Sequence, residues 1–144
     1  MAYRFEFERM VTFAETDVAG IMHFANFFRI MEEAEHAFWR SMGFSVHPTE
    51  EPRTGWPRVH ASCDFRKPLR FEDVVTVEVL VEEIRGKAVR FLHRFWLGEE
   101  LCATGRITAV CVSMKEMKAI SIPEAFLEQL EAAPAEVLEK TERG

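Results

Sequence analysis

The chain has no apolar run approaching the ~20 residues that a membrane-spanning helix needs. It has no basic leader either: the opening MAYRFEFER alternates charged and aromatic residues, which suits neither a signal peptide nor a transit sequence. The expected address is the cytoplasm, with no membrane partner. Cysteine is scarce, and Cys63, Cys102 and Cys111 are odd in number and form no C-x-x-C pair. A disulfide framework and a zinc site both fall away, leaving free buried thiols in a reducing compartment. Positive charge is also short. Eighteen Lys and Arg against 24 Asp and Glu give a net charge of -6, the wrong sign for a general nucleic-acid binder. A small anionic ligand stays open, because a few local Arg and Lys residues suffice for one. Glycine and proline are few, at 7 and 6, and no repeat or low-complexity tract is present.

What is there is an ordinary globular composition, 48% hydrophobic and 29% charged, in a length that suits one domain over residues 1–144. Alternation predicts a strand over Tyr3–Phe13 with Phe5, Phe7, Val11 and Phe13 on one face, its phase disturbed at Met10. A loop over Ala14–His23 follows. A helix is then predicted over Phe24–Met42, because Phe24, Phe27, Phe28, Met31, Ala34, Phe38 and Met42 recur at helical spacing, with Ile30 and Ala37 widening the stripe. Gly43 is placed to end it. Ser45–Pro57 holds three prolines and reads as an ordered surface loop. Four strands are expected at Arg58–Phe65, Val74–Ile84, Ala88–Leu97 and Leu101–Met114, joined as antiparallel hairpins at Gly86 and Gly98. A short helix is expected from Pro123 to about Ala132, with a polar tail from 133 onward that frays. One long apolar helix with an antiparallel sheet is an α+β layout in which the sheet wraps the helix.

Chemistry concentrates in FAETDVAGIMHFANFFRIMEEAEHAFWRSMG, residues 13–43. Asp17 reads as a buried acid in a Gly-bearing loop that runs into a helix N-terminus. It is either a turn residue bonded to local backbone, or a carboxylate facing the unpaired N–H groups and positive dipole that an acyl-transfer oxyanion needs. Gly20 lets the backbone pass close to a ligand, and Phe24 brings an N–H without an intrahelical acceptor. No Ser-His-Asp or Cys-His arrangement competes for the nucleophile. His23 is a general acid or base, or a polar filler at the helix entrance. Glu32 is a second acid/base, or half of an i,i+4 pair with His36. Asn26 steadies the first turn. Arg85, Lys87 and Arg90 form a cationic cluster at a hairpin turn, and Lys67 and Arg70 flank Pro68; each group is a phosphate contact or a solvated turn.

Thr16-Asp17-Val18-Ala19-Gly20-Ile21, followed by Asn26, Glu32 and Ala34, resembles the signature of hotdog-fold acyl-CoA thioesterases. It is closest to the Asp-loop branch of the 4-hydroxybenzoyl-CoA thioesterase family. The likeness continues through Phe65, Pro68, Phe71, Asp73, Val74, Arg85, Lys87 and Ile122-Pro123. It implies a curved antiparallel sheet wrapped around the long helix, with active sites where two subunits join, and dimers that pair into a homotetramer. It further implies Asp17 as nucleophile or general base, the Phe24 N–H as oxyanion donor, and Gly20 and Asn26 beside the substrate. Arg85, Lys87 and Arg90 would meet the phosphates of coenzyme A, which enters only as part of an acyl-CoA substrate; no metal or redox cofactor is implied. Two other readings carry their own signatures. A hydratase or dehydratase would use His23 with Glu32, and a non-catalytic acyl-CoA binder would show affinity without turnover.

Overall fold

Seven residues of alternating character, Arg4–Met10, form strand β1, with Phe5, Phe7 and Arg9 turned toward the core and Glu6, Glu8 and Met10 outward. The computed structural model of the chain describes residues 1–51, 53–140 and 142–143. The strand stops at Met10, earlier than its sequence pattern suggests. Val11 is buried, but Phe13 opens a single 3₁₀ turn, Phe13–Glu15, and its ring is 74% exposed. Helix α1 covers Ala25–Ser41 and buries Phe27, Ile30, Met31, Ala34, Glu35, Phe38 and Trp39. The predicted stripe is largely kept, with Phe28 and Met42 packed against the core; Phe24 departs from it at 62% exposed, and Glu35 and Trp39 extend it. Each large side chain fully buried there contributes about 1.5–3 kcal/mol, so packing rather than propensity holds the helix. The helix ends in a Schellman turn, with the Phe44 N–H on the Trp39 carbonyl and the Gly43 N–H on the Arg40 carbonyl. Gly43 has the left-handed φ of 84° that this ending requires.

The remaining strands are β2 (Thr54–Gly55), β3 (Arg58–Phe65), β4 (Val74–Arg85), β5 (Ala88–Leu97), β6 (Glu100–Val110), β7 (Val112–Ser113) and β8 (Lys118–Ala119). The main sheet has the order β1-β4-β5-β6-β3, antiparallel throughout, and β2-β7-β8 form a small second sheet. Val75, Val77, Val79, Val89, Phe91 and Phe95 belong to the core that α1 completes. Gly105 on β6 sits against the Met31 thioether, where a Cβ would collide, so its lack of a side chain lets helix and sheet approach closely. The architecture is the α+β arrangement expected, a curved antiparallel sheet around one long helix.

The tail departs from expectation. The predicted helix from Pro123 shrinks to α2, Glu124–Leu127, with Pro123 as its N-cap. The residues beyond 133 dock instead of fraying. The Ala133 N–H donates to the Val81 carbonyl at 2.8 Å. A further turn, α3 (Ala135–Leu138), brings Val137 and Leu138 onto Leu80, Leu92 and Tyr3 on the outer face of the sheet. Arg94, almost fully buried, donates to the carbonyls of Val137 and Leu138. Residues 141 and 144 of the expected frayed tail lie outside the described residues. Cys63 is half-buried and Cys102 and Cys111 are buried, all as free thiols. Among the described residues no helix is long and apolar enough to cross a membrane.

Candidate active site

The loop that carries Asp17 is closed by its own backbone. Asp17 N–H donates to the Ile21 carbonyl at 3.0 Å, and the Gly20 N–H to the Asp17 carbonyl at 2.9 Å. Gly20 has φ 78°, a left-handed conformation that a side chain disfavours. The loop is moored at Met22, whose N–H donates to the Leu69 carbonyl at 2.7 Å. Asp17 is exposed in the single chain, not buried, and its Oδ1 accepts the Ala19 N–H at 2.8 Å. The local-turn reading of Asp17 is therefore satisfied by one carboxylate oxygen. A hollow of about 420 Å³ opens beside it, walled by Phe24, Phe27, Phe65, Met22 and Leu69, with Arg66 and Lys67 at its rim. A second, open hollow on the other side of Asp17 is flanked by Phe13 and Phe71, whose rings meet edge-on at 5.8 Å.

The helix entrance is arranged around Glu15. Its carbonyl accepts the His23 N–H at 2.8 Å and Asn26 Nδ2 at 2.9 Å. Asn26 therefore ties the helix's first turn back to the loop. The Phe24 N–H has no partner among the described residues, and Phe24 also lines the hollow beside Asp17. Asp17 and Phe24 thus line one apolar-walled pocket, and a carboxylate with an unpaired backbone N–H facing it is a set that can attack or hydrate a carbonyl carbon while holding its oxygen.

His23 and Glu32 are not brought together. Nine residues separate them, about 13 Å along a helix, and both are exposed and absent from the pocket wall. The His23 ring instead lies against Phe24 at 4.8 Å, with Nδ1 accepting the Ala25 N–H at 3.4 Å. Nor do Arg85, Lys87 and Arg90 join Asp17 within one chain. They gather at the far end of the 12-residue β4, whose last residue is Arg85, about 36 Å of strand from Val74; Arg90 faces Glu83 from β5, and Arg85 pairs with Glu83. Arg90 lies 3.8–3.9 Å from Glu83 and Glu82.

Several charged residues in or behind the site escaped the sequence reading. Arg66 is a pocket-rim cation without an ion-pair partner among the described residues, whereas Lys67 beside it, which the sequence reading placed next to Pro68, pairs with Glu100. Arg9, on the inward face of β1, clamps Glu15 at 2.5–2.6 Å and Glu33 at 2.9 Å. Burial pushes the Glu15 carboxyl up, but the hydrogen bonds from Arg9 and Thr12 outweigh it and hold the group down at about 2. Glu35, three residues past the predicted Glu32, is the carboxylate that the core buries; it accepts Arg58 at 2.7 Å and Trp39 Nε1 at 3.1 Å. Its burial raises its pKa against the pull of both partners. On β5, His93 is fully buried, and among the described residues neither ring nitrogen is hydrogen-bonded. Strand parity could have flagged Arg9, since it shares the phase of Phe5 and Phe7; nothing local marks the other partners.

The family model for the Thioesterase-like superfamily matches residues 11–130. The crystal structure of a hypothetical protein from Aquifex aeolicus superposes with a TM-score of 0.83 at 32% identity, over 88% of this chain and 99% of that one. A 1,4-dihydroxy-2-naphthoyl-CoA hydrolase of Prochlorococcus marinus is 27% identical over 133 residues, 87% of this chain and 88% of its own. The structure of a gentisyl-coenzyme A thioesterase is 28% identical with a TM-score of 0.78, over 85% of this chain and 97% of that one.

Proposed function

Because the chain belongs to the thioesterase-like superfamily and has its hotdog fold, we propose that it hydrolyses a coenzyme A thioester to a carboxylate and free CoA. The observation that carries this reading is the pocket that Asp17 and Phe24 both line, beside a Phe24 N–H with no partner among the described residues. In the nucleophilic route, the Asp17 carboxylate adds to the thioester carbonyl, the C–S bond breaks, CoA leaves as a thiolate that takes a proton, and water hydrolyses the resulting anhydride. In the general-base route, Asp17 accepts a proton from water as the water adds to the same carbon. Either way the negative charge grows on an oxygen that the Phe24 N–H and the helix dipole meet; one such donor is worth about 10²–10³ in rate. This is the Asp-loop arrangement of the 4-hydroxybenzoyl-CoA thioesterase family.

An aromatic acyl group suits the site best. Phe24, Phe27 and Phe65 wall the hollow, and offset or edge-on ring contacts reward a planar guest. Relatives named for dihydroxynaphthoyl-CoA and gentisyl-CoA support the same choice. The substrate phosphates meet Arg66 and Lys67 within one chain; Arg85, Lys87 and Arg90 serve them only across a dimer, built by pairing the exposed β3 edge, from which a homotetramer is a further step. Asn26 acts on the loop rather than on substrate. The test is thiol release from benzoyl-, hydroxynaphthoyl- and octanoyl-CoA by wild type and Asp17→Asn. The variant is expected to lose at least about 10³ in kcat with the aroyl esters preferred by the wild type; near wild-type turnover would sink the mechanism.

A further inference from the structure

We infer that Arg9 and Glu15 are positioning residues, which fix the distance between the Asp17 carboxylate and the Phe24 N–H. The inference rests on the reading of Asp17 above. Asp17 sits on a short surface turn, and among the described residues no hydrogen bond from that turn reaches α1. The connection runs through Glu15, two residues earlier. Its carboxylate accepts the Thr12 N–H at 2.9 Å and both terminal nitrogens of Arg9 at 2.6 and 2.5 Å. Arg9 in turn holds Glu33, on α1, through Nε at 2.9 Å and Nη2 at 3.2 Å. The Glu15 carbonyl takes the N–H of His23 and the amide of Asn26, on either side of Phe24. One residue therefore joins β1, the Asp17 loop and the helix entrance.

The pairing is also placed where stability alone does not call for it. The side chains of Arg9 and Glu15 are 17% and 5% exposed, on a strand face that otherwise carries Phe5 and Phe7. Desolvating two charges there offsets most of their attraction, and an apolar pair of the same volume would serve the core as well or better. What an apolar pair cannot supply is direction: a guanidinium fork on a carboxylate fixes both partners in orientation as well as in distance. A misplacement near 1 Å between reacting groups costs about 10²-fold in rate.

The experiment is a double-mutant cycle on the full chain with benzoyl-CoA, comparing wild type, Glu15→Gln, Asp17→Asn and the double variant, with kcat, KM and the inhibition constant of free CoA measured for each. Glu15→Gln keeps the shape and the Thr12 contact but loses the charge. It is expected to lower kcat about 100-fold with KM and CoA inhibition within twofold, and to cost nothing further once Asp17 is Asn. A wild-type kcat for Glu15→Gln beside an inactive Asp17→Asn overturns the positioning role and leaves Asp17 in place. Equal losses in both backgrounds assign Glu15 a merely structural part and also overturn it. An active Asp17→Asn overturns the Asp17 reading itself. Should Glu15→Gln fail to fold, Asn26→Asp removes the bond to the Glu15 carbonyl at constant size. Aspartate suits a first helical turn, and the same pattern of kcat loss, confined to the Asp17 background, is expected.

Discussion

Lowering the pH tests His93 directly. Its imidazole is fully buried, and among the described residues no group meets hydrogen-bond geometry on either nitrogen, the Met31 backbone lying near without closing one. Burial, reinforced by the nearby Arg58 cation and opposed only by the Met31 backbone, pushes its pKa down to about 3. In the unfolded chain it returns to about 6.5. The unfolded state therefore binds more protons between pH 6.5 and 3, so stability is full above 6.5 and declines as the pH falls through that window. Each pKa unit is worth about 1.4 kcal/mol, and at pH 5 the 1.5 units below 6.5 amount to about 2 kcal/mol. That is a large part of the 5–15 kcal/mol typical of a domain. Urea unfolding of wild type and His93→Leu at pH 7.5 and pH 5 isolates the effect. Glu35 and His36, which are also shifted, are present in both proteins and cancel. Glu15 titrates below the range, between 4.5 and about 2. The wild type should lose about 2 kcal/mol relative to the variant on acidification, near 1 M in the urea midpoint. A difference between the two proteins that stays constant with pH would refute the reasoning.

Two further outcomes follow from the backbone and the tail. Gly20→Ala meets open space around its Cβ but must keep φ near 78°, which costs about 1–2 kcal/mol; a melting temperature lower by a few degrees, with a larger fractional loss in kcat/KM as the Asp17 loop shifts, is expected from calorimetry and steady-state rates. Removing residues from 133 onward uncovers Leu80 and Leu92, each worth about 1.5–3 kcal/mol when fully exposed. Thermal unfolding and light scattering should show lower stability and association, and an unchanged melting temperature would mean the tail does not support the sheet.

The strands were legible because glycine, proline and charge punctuate them: β3, β4, β5 and β6 begin and end within a few residues of where Pro68, Gly86 and Gly98 suggest. The long helix was legible as an element and in most of its buried stripe; Phe24 stands outside it, and Glu35 and Trp39 extend it. Glu35 was passed over because a carboxylate does not read as an inward residue, whereas its burial depends on Arg58 and Trp39 from outside the local pattern. Phe13, which continues the alternation in sequence, is exposed because the chain turns at Thr12, where Glu15 closes a capping box. In the site, Asp17, Gly20 and the Phe24 N–H could be read from a continuous segment. The Arg9–Glu33 pair joins residues 24 apart, and no local pattern announces a contact of that span. The cationic hairpin at Arg85 was conspicuous in sequence, yet strand length carries it away from Asp17.

The guanidinium of Arg94 has two tasks. It neutralises Glu78 and it supplies donors to the carbonyls of Val137 and Leu138, at the end of a helix only four residues long. A helix of one turn cannot nucleate alone, so α3 exists only where that cation has already been presented by strand β5. The docking of the tail thus depends on the β4–β5 hairpin, and the expected order in refolding is the hairpin first and the tail last. An environment-sensitive fluorophore near residue 138 would accordingly report the final step of refolding, lagging the far-ultraviolet signal of the sheet.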